Sequence, residues 1–266
     1  MKHTTILFLL ALLMGCQTSG EQTASRADET TDKLEPLLGT WVKVGPSGPV
    51  HLEFSSDSTV QGDFGGDGAI DITSRFILDG NEISFQDRSG RTCPEKGKYQ
   101  IDIQDHYLAF NIIQDECIGR VQTTLGFWTR MDHAERVKDL EAQMAQSHDP
   151  ALSLTRGRVY LALGETEKAR ADFDHYLAHD TTDARAYVNR AATRFPDDMM
   201  GIIHDCDRAT AIDPNLTNAY FLRGLALKSL RNPKRACSDF QRAIELGFTL
   251  LQSAEKASCA DYWENG

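Results

Sequence analysis

The chain has 266 residues, with 28 lysines and arginines against 39 aspartates and glutamates and a formal net charge of −11. Both of its compositional halves are acidic, so it has no basic face of the kind nucleic acid requires, and a nucleic-acid partner is excluded. Without its first residues about 250 remain, the size of one large or two ordinary domains.

Met1-Lys2-His3 begins the chain with weak positive charge, and an apolar run follows from Ile6 to Met14. The run is shorter than the ~20 apolar residues that span a bilayer as a helix. A basic start, a short apolar middle and a small residue before the break are the parts of a secretory signal peptide, here residues 1–15. Leu13-Met14-Gly15-Cys16 resembles the lipobox of bacterial lipoproteins. That resemblance implies that Cys16 is acylated, becomes the mature N-terminus and anchors the protein in the cell envelope. The other reading is an ordinary secreted protein in which Cys16 is incidental. Gln17 in place of an aspartate resembles the outer-membrane signal, with the protein facing the periplasm or the surface. Two or more acyl chains hold stably where one holds marginally, each buried methylene adding about 0.8 kcal/mol. Residues 16–35 are almost entirely polar and form a tether with a reach of about 25 Å.

Alternating apolar and polar residues then recur in short runs. They are Thr40 to Val44, Val50 to Phe54, Thr59 to Phe64, Ile70 to Leu78, Glu82 to Gln86, Lys98 to Ile103, Tyr107 to Ile113 and Val121 to Arg130. Turn residues such as Asp79-Gly80-Asn81 and Ser89-Gly90 separate them. Residues 36–131 therefore predict an antiparallel up-and-down barrel or a sandwich. Gly39-Thr40-Trp41 resembles the Gly-x-Trp that begins the first strand of lipocalins, and the stretch from Cys93 through Gly97-Lys98-Tyr99 to Cys117 and Arg120 resembles the closing hairpin of small bacterial lipocalin-like domains. The resemblance implies an arginine packed over Trp41, either Arg120 or Arg130. It also leaves two uses for the interior, a lumen filled by side chains or a pocket for a small apolar ligand. Asp63, Asp67 and Asp71 lack the spacing of an EF-hand loop and read as a solvated turn.

Beyond Met131 the composition turns to Ala, Leu, Arg and Asp at helical spacing. Residues 132–149 read as a linker helix, centred on Ala134 to Ser147. From Pro150, three segments superimpose, with Arg156, Arg190 and Arg223 spaced 34 and 33 apart and followed by the small residues Gly157, Ala191 and Gly224. The period and the later Ala-x-x-Asp-Phe face resemble the tetratricopeptide repeat. The resemblance implies helix pairs over residues 150–266, the internal pairs Arg156–Asp172, Arg190–Asp205 and Arg223–Asp239, and a C-terminal capping helix from Leu250 to Tyr262. An acidic partner on the arginine ladder is the competing reading. Asn232-Pro233 is placed as N-cap and first residue of the last repeat helix. Phe195-Pro196-Asp197-Asp198 replaces the usual turn of the middle repeat, and Cys206 stands where the others carry Phe173 and Phe240.

With Cys16 taken by lipid, five of six cysteines remain, and export permits disulfides. Cys93–Cys117 fits neighbouring strands of the closing hairpin. Cys237–Cys259 fits helix against cap, as in the bacterial repeat proteins whose ending this segment resembles. Cys206 is left as a small buried hydrophobe. His175 and His179 stand four apart beside Asp172, but no third ligand or zincin glutamate accompanies them. No nucleophile elbow or P-loop occurs, so neither an enzyme, a cofactor nor a metal is expected. The fold expected is α+β multidomain, a small lipocalin-like barrel followed by a tetratricopeptide solenoid. The function expected is protein or peptide binding in the solenoid groove, with Arg158, Asn189, Arg190, Arg194, Tyr220 and Arg223 as contacts. Membrane contact comes through the acyl chains, and an apolar small molecule in the barrel is the alternative.

Overall fold

The computed structural model describes residues 34–45, 48–90, 92–248 and 253–264. Cys16 and the leader lie outside the described residues, as does the tether as far as Lys33. Eight strands come first: β1 Gly39–Gly45, β2 Gly48–Phe54, β3 Thr59–Asp63, β4 Ile72–Asp79, β5 Glu82–Gly90, β6 Gly97–Ile103, β7 Leu108–Gln114 and β8 Gly126–Arg130. Each pairs antiparallel with the next, and β8 returns to β1 through Trp41↔Arg130 and Val42↔Thr129, so the sheet is a closed barrel rather than a sandwich. The expected turn at Asp79-Gly80-Asn81 is there: Asp79 pairs Glu82 across a two-residue loop with Gly80 at φ +60.

Period two sends alternate residues inward. Trp41, Phe54, Phe76, Phe85, Tyr99 and Phe110 are all buried inside. The rings touch in edge and tilted contacts, Phe54 with Phe76 at 5.4 Å and Phe85 with Tyr99 at 5.6 Å between centroids. Much of the lumen is thus filled by side chains.

The expected strand from Val121 to Arg130 is not one strand. Helix α1, Ile118–Thr124, precedes β8 and lies across one mouth of the barrel. Val121 and Leu125 recur at helical spacing, and both join the barrel core, so burial is satisfied at a period the alternation of the later residues masks. The Cys93–Cys117 bond, with Cα atoms 6.0 Å apart, consequently ties the loop after β5 to the N-cap of α1 instead of linking two hairpin strands.

Two indoles close the seam. Trp41 on β1 lies under the Arg130 guanidinium of β8 at 3.8 Å, which decides between the two candidate arginines. Trp128 on β8 lies under the Lys43 ammonium of β1 at 4.6 Å. Each strand supplies the ring that the other strand's cation covers. Both indole N–H groups donate to carbonyls four residues back, Leu37 and Thr124, at 2.8 Å.

Arg120 serves elsewhere. Its Nε and Nη2 donate to Asp115 at 2.6 and 2.8 Å, its Nη1 to Asp87 at 3.1 Å and its Nη2 again to the Glu95 carbonyl at 2.7 Å. Ser74 donates to Asp87 at 2.7 Å, and the Tyr99 phenol donates to Asp115. Burial first, then that bond, pushes the Tyr99 phenol above its ordinary range. A Cβ at Gly97 would stand 2.1 Å from Asp115 Oδ2, so glycine there makes room for the network. Asp63 folds its own loop, accepting from the Gly65, Gly66 and Gly68 amides at 3.1, 2.8 and 2.9 Å, in keeping with a turn.

Eight helices follow among the described residues: α2 His133–Gln146, α3 Pro150–Ala162, α4 Thr166–Leu177, α5 Ala184–Thr193, α6 Met199–Ile212, α7 Thr217–Ser229, α8 Pro233–Glu245 and α9 Ser253–Glu264. α2 is the linker helix, α3 to α8 form three hairpins, and α9 is the cap. Asp149, Asp183 and Asp198 cap α3, α5 and α6 with their side chains, and Asn232 caps α8 with Pro233 at its start. α5 ends at Thr193 and α6 begins at Met199, so Phe195 to Asp198 form the middle turn. A Cβ at Gly157 would stand 2.7 Å from Phe173 Cε1, and one at Gly224 would stand 2.5 Å from Phe240 Cε1. Where α6 carries Cys206 instead of phenylalanine, the matching position on α5 is Ala191, and both are fully buried. Burial pushes the free Cys206 thiol up to about 12. Cys237 and Cys259 are bonded, with Cα atoms 5.3 Å apart, and the Trp263 indole donates to the Cys237 carbonyl at 2.9 Å.

Candidate functional site

The first helix of the solenoid docks on the barrel: α3 packs against β8 and touches β1. Arg158 is the pin. Its Nη1 donates to the Tyr107 hydroxyl at 2.6 Å, and its guanidinium lies 4.9 Å from the Tyr107 ring centre and 5.7 Å from that of Phe127. Tyr107 in turn donates to Asp102 at 3.1 Å, and burial pushes its phenol up to about 12.

Beyond this contact the two bodies part and leave a cleft. It has two adjoining lobes of about 420 Å³ each, which share Ala109, Asn111 and Phe127 on the barrel wall and Val188, Asn189 and Asn218 on the solenoid wall. One lobe is polar, with Arg158, Arg185, Asp102 and Asp213. The other is apolar, with Val44, Leu161, Ala192, Phe221, Leu222 and Phe248. Phe221 and Phe248 stack at 4.3 Å. Lys43 reaches the apolar lobe from β1, donating to the Leu125 carbonyl at 2.7 Å, and burial draws its pKa down to about 7. Arg158 Nε and Asn189 Nδ2, on two residues of the cleft lining, are themselves buried and have no hydrogen-bond partner among the described residues.

The six residues read from sequence as contacts separate into three groups. Arg158 and Asn189 line the cleft. Arg190, Arg194 and Arg223 are held within the solenoid. Arg190 donates to Asp205 at 3.0 and 2.5 Å, Arg194 joins the same carboxylate at 3.1 Å, and Arg223 donates to Asp239 at 2.8 and 2.6 Å. Arg156 donates to Asp172 at 2.9 and 2.7 Å, so all three internal pairs form. Each arginine also reaches the preceding helix: Arg156 to Glu141 at 3.6 Å, Arg190 to Asp174 at 2.8 Å and Arg223 to Asp207 at 2.7 Å. The ladder stitches neighbouring units together. Tyr220, the third case, donates to the Pro214 carbonyl at 3.1 Å and faces Arg223 and Arg242.

Sequence reasoning passed over Tyr107, Phe127, Asn218 and Lys43. Lys43 carried a signal, since it shares the inward face of β1 with Trp41. The second layer of the ladder carried one too, because Glu141, Asp174 and Asp207 recur at the repeat period. The barrel keeps a separate cavity of about 180 Å³ beneath α1, lined by Leu52, Val60, Phe64, Ile72 and Phe85 and bordered by Asp87 and Arg120. His175 meets Ser153 at 3.2 Å and the His179 ring at 4.8 Å. Among the described residues no group of three or more His, Cys, Asp or Glu side chains is placed to hold a metal, and no helix is long and apolar enough to cross a membrane.

A closed barrel followed by stacked helix hairpins defines a two-domain α+β chain with tetratricopeptide-type repeats. Residues 217–246, which are α7, α8 and the turn between them, match the family model described as "Tetratricopeptide repeat". No curated protein matches the chain. Among solved structures it is similar to MamA, at 16% identity over 51% of this chain and 92% of that one with a TM-score of 0.43. It is also similar to the OM64 TPR domain of Arabidopsis, at 23% identity over 44% and 96% with a TM-score of 0.39. A third is the first TPR of Spaghetti (RPAP3), solved bound to an HSP90 peptide, at 22% identity over 44% and 93% with a TM-score of 0.39.

Proposed function

We propose that this protein is a lipid-anchored envelope scaffold without enzymatic activity that takes a protein or peptide partner into the groove of its repeats. The observation that carries the reading is the open cleft, one wall of which is built by α5 and α7, the first helices of the second and third pairs. A rigid curved surface of this kind binds without chemistry. A photoreactive amino acid placed at Leu222 in living cells tests it. One discrete adduct is expected, and it is expected to vanish when Ala192→Trp fills the apolar lobe. An adduct indifferent to Ala192→Trp contradicts the groove. Anchoring through Cys16 is tested apart from this, by fatty-acid labelling of the wild type and of Cys16→Ser; a wild type that takes up no label rules it out.

The cavity under α1 supports a second reading, a small apolar ligand in the barrel. At about 180 Å³ it has room for a single ring, comparable with cavities of about 150 Å³ that hold benzene. Native mass spectrometry of the full chain with indole or benzene derivatives is expected to show one bound molecule, and no adduct at saturating ligand rules against it.

A further inference from the structure

We propose that the turn between α7 and α8 is a contact site for an anionic lipid bilayer, with Arg231, Lys234 and Arg235 among the phosphate headgroups and Leu230 at the edge of the acyl layer. The site stands apart from the groove and does not depend on it.

The three turns that join the two helices of each pair lie along one edge of the solenoid and meet the same geometric problem. The first carries Glu165 and Glu167, and the second Asp197 and Asp198. The third reverses the sign. Residues 214–238 hold no aspartate or glutamate, and Lys228, Arg231, Lys234 and Arg235 crowd around the turn, in a chain of net charge −11. All four are exposed. Lys228 is already engaged, as is Asp261 on α9. Arg156, Arg190 and Arg223 of the ladder are each bonded to carboxylates, whereas Arg231, Lys234 and Arg235 take no part in a side-chain hydrogen bond or ion pair among the described residues.

Packing does not ask for this charge. Eight residues after the ladder arginine, the first pair has Gly164 at φ +71 and the third has Arg231 at φ +56. Glycine takes the left-handed conformation freely and arginine does not, so the third turn accepts backbone strain and keeps a cation at its tip.

The neighbours of these cations select a bilayer over an acidic protein. Leu230, at the tip itself, is 45% exposed. The Trp263 indole, bonded to the Cys237 carbonyl, sets the last turn of α9 beside the first turn of α8, and Tyr262 next to it is 42% exposed. Long cationic side chains reach headgroup phosphates while leucine and tyrosine settle at the boundary beneath them, which is the composition of an interfacial site. Near an anionic leaflet each lysine or arginine gains about fivefold in partition, and three gain about a hundredfold. Acidic residues farther away than a Debye length of about 8 Å subtract little from this. An acyl anchor at Cys16 keeps the folded body near such a surface, but the contact is intrinsic to the turn.

The test uses the chain from residue 16 onward, without acyl groups and with both disulfides formed, in flotation with vesicles of phosphatidylcholine alone or mixed with phosphatidylglycerol. Binding is expected on the mixed vesicles and is expected to fall with salt. Arg231→Gly is expected to weaken it about fivefold while raising the melting temperature, because glycine relieves the left-handed backbone. With Lys234→Gln and Arg235→Gln added, the loss is expected to reach about a hundredfold. Leu230→Gln is expected to weaken binding about tenfold. Arg185→Gln, at the start of α5 on the opposite edge, is expected to leave it unchanged.

Equal binding to both kinds of vesicle, or to neither, overturns the proposal, as does a triple variant that binds like wild type or an equal loss in Arg185→Gln. Binding to polyglutamate that matches the mixed vesicles and ignores Leu230→Gln also overturns it, and gives the turn to an acidic protein. The adduct at Leu222 and the label on Cys16 judge the earlier readings separately.

Discussion

The barrel and the solenoid bury charge by opposite strategies. In the solenoid one arrangement is used three times: an arginine bridges an aspartate of its own hairpin and an acidic residue of the preceding helix. The guanidinium stays at the edge, with Arg190 15% and Arg223 14% exposed, so water shares the load. In the barrel the arrangement occurs once. Arg120 is 6% exposed and faces two carboxylates, Asp87 and Asp115, that are fully buried. A repeat spreads the cost of its polar interior over neighbours, whereas the barrel gathers its two fully buried carboxylates on one arginine.

Arg120→Leu is expected to have the largest effect on stability. It strands two buried carboxylates, and breaking a buried pair costs about 3–5 kcal/mol. Arg190→Leu leaves Asp205 still bonded to Arg194 and is expected to cost less than half as much. Urea unfolding in a Trp263→Phe background checks both, because Trp41 and Trp128 then report on the barrel by fluorescence while helical circular dichroism reports on the solenoid. Equal losses in the two variants would erase the distinction drawn here. Next in size is removal of the Cys237–Cys259 bond by paired serine substitutions. It closes a separation of 22 residues, for which chain entropy gives about 3 kcal/mol, and α9 is expected to detach first.

The helix pairs offer a finer test. Gly224→Ala places a methyl against Phe240 and is expected to cost about 1–3 kcal/mol through overpacking. The middle repeat has traded the other way, with Ala191 opposite the smaller Cys206. Cys206→Phe is therefore expected to destabilise, and Ala191→Gly added to it to recover part of the loss, a coupling that a double-mutant cycle measures.

This trade was visible in the sequence as Gly-Phe, Ala-Cys and Gly-Phe at matching positions, because a repeat states the same packing problem three times. The arginine–aspartate pairs were legible for the same reason. In the barrel the alternation gave the strands but not α1, since Phe127 and Thr129 alternate with Trp128 and Arg130 just after Val121 and Leu125 have changed period. The roles of Arg120 and Arg130 were undecidable from spacing alone, because closure brings together β1 and β8, which lie about ninety residues apart. The cleft was half legible: Arg158 and Asn189 stood out on α3 and α5, whereas Phe127, Asn111 and Lys43 belong to a wall that exists only once α3 has docked.

Lys43 gives the smallest effect and the cleanest sign. Burial draws its pKa from 10.5 down to about 7, so the native state releases this proton first. Between about pH 7 and 10.5 the unfolded chain holds a proton that the folded chain has lost, and stability therefore rises with pH across that window. Below pH 7 both states carry the charge and the cost of burying it is fully present. From pH 7 to pH 8 the gain from this group is about 1 kcal/mol. Lys43→Met is expected to remove that slope, leaving the variant more stable than wild type at pH 6 and nearer to it at pH 9. Urea midpoints at pH 7, 8 and 9 measure that slope. If wild type and variant gained equally over that range, the ammonium over Trp128 would be one that the Leu125 carbonyl and the ring solvate as well as water does, and the seam between β1 and β8 would be held by two charged caps instead of one.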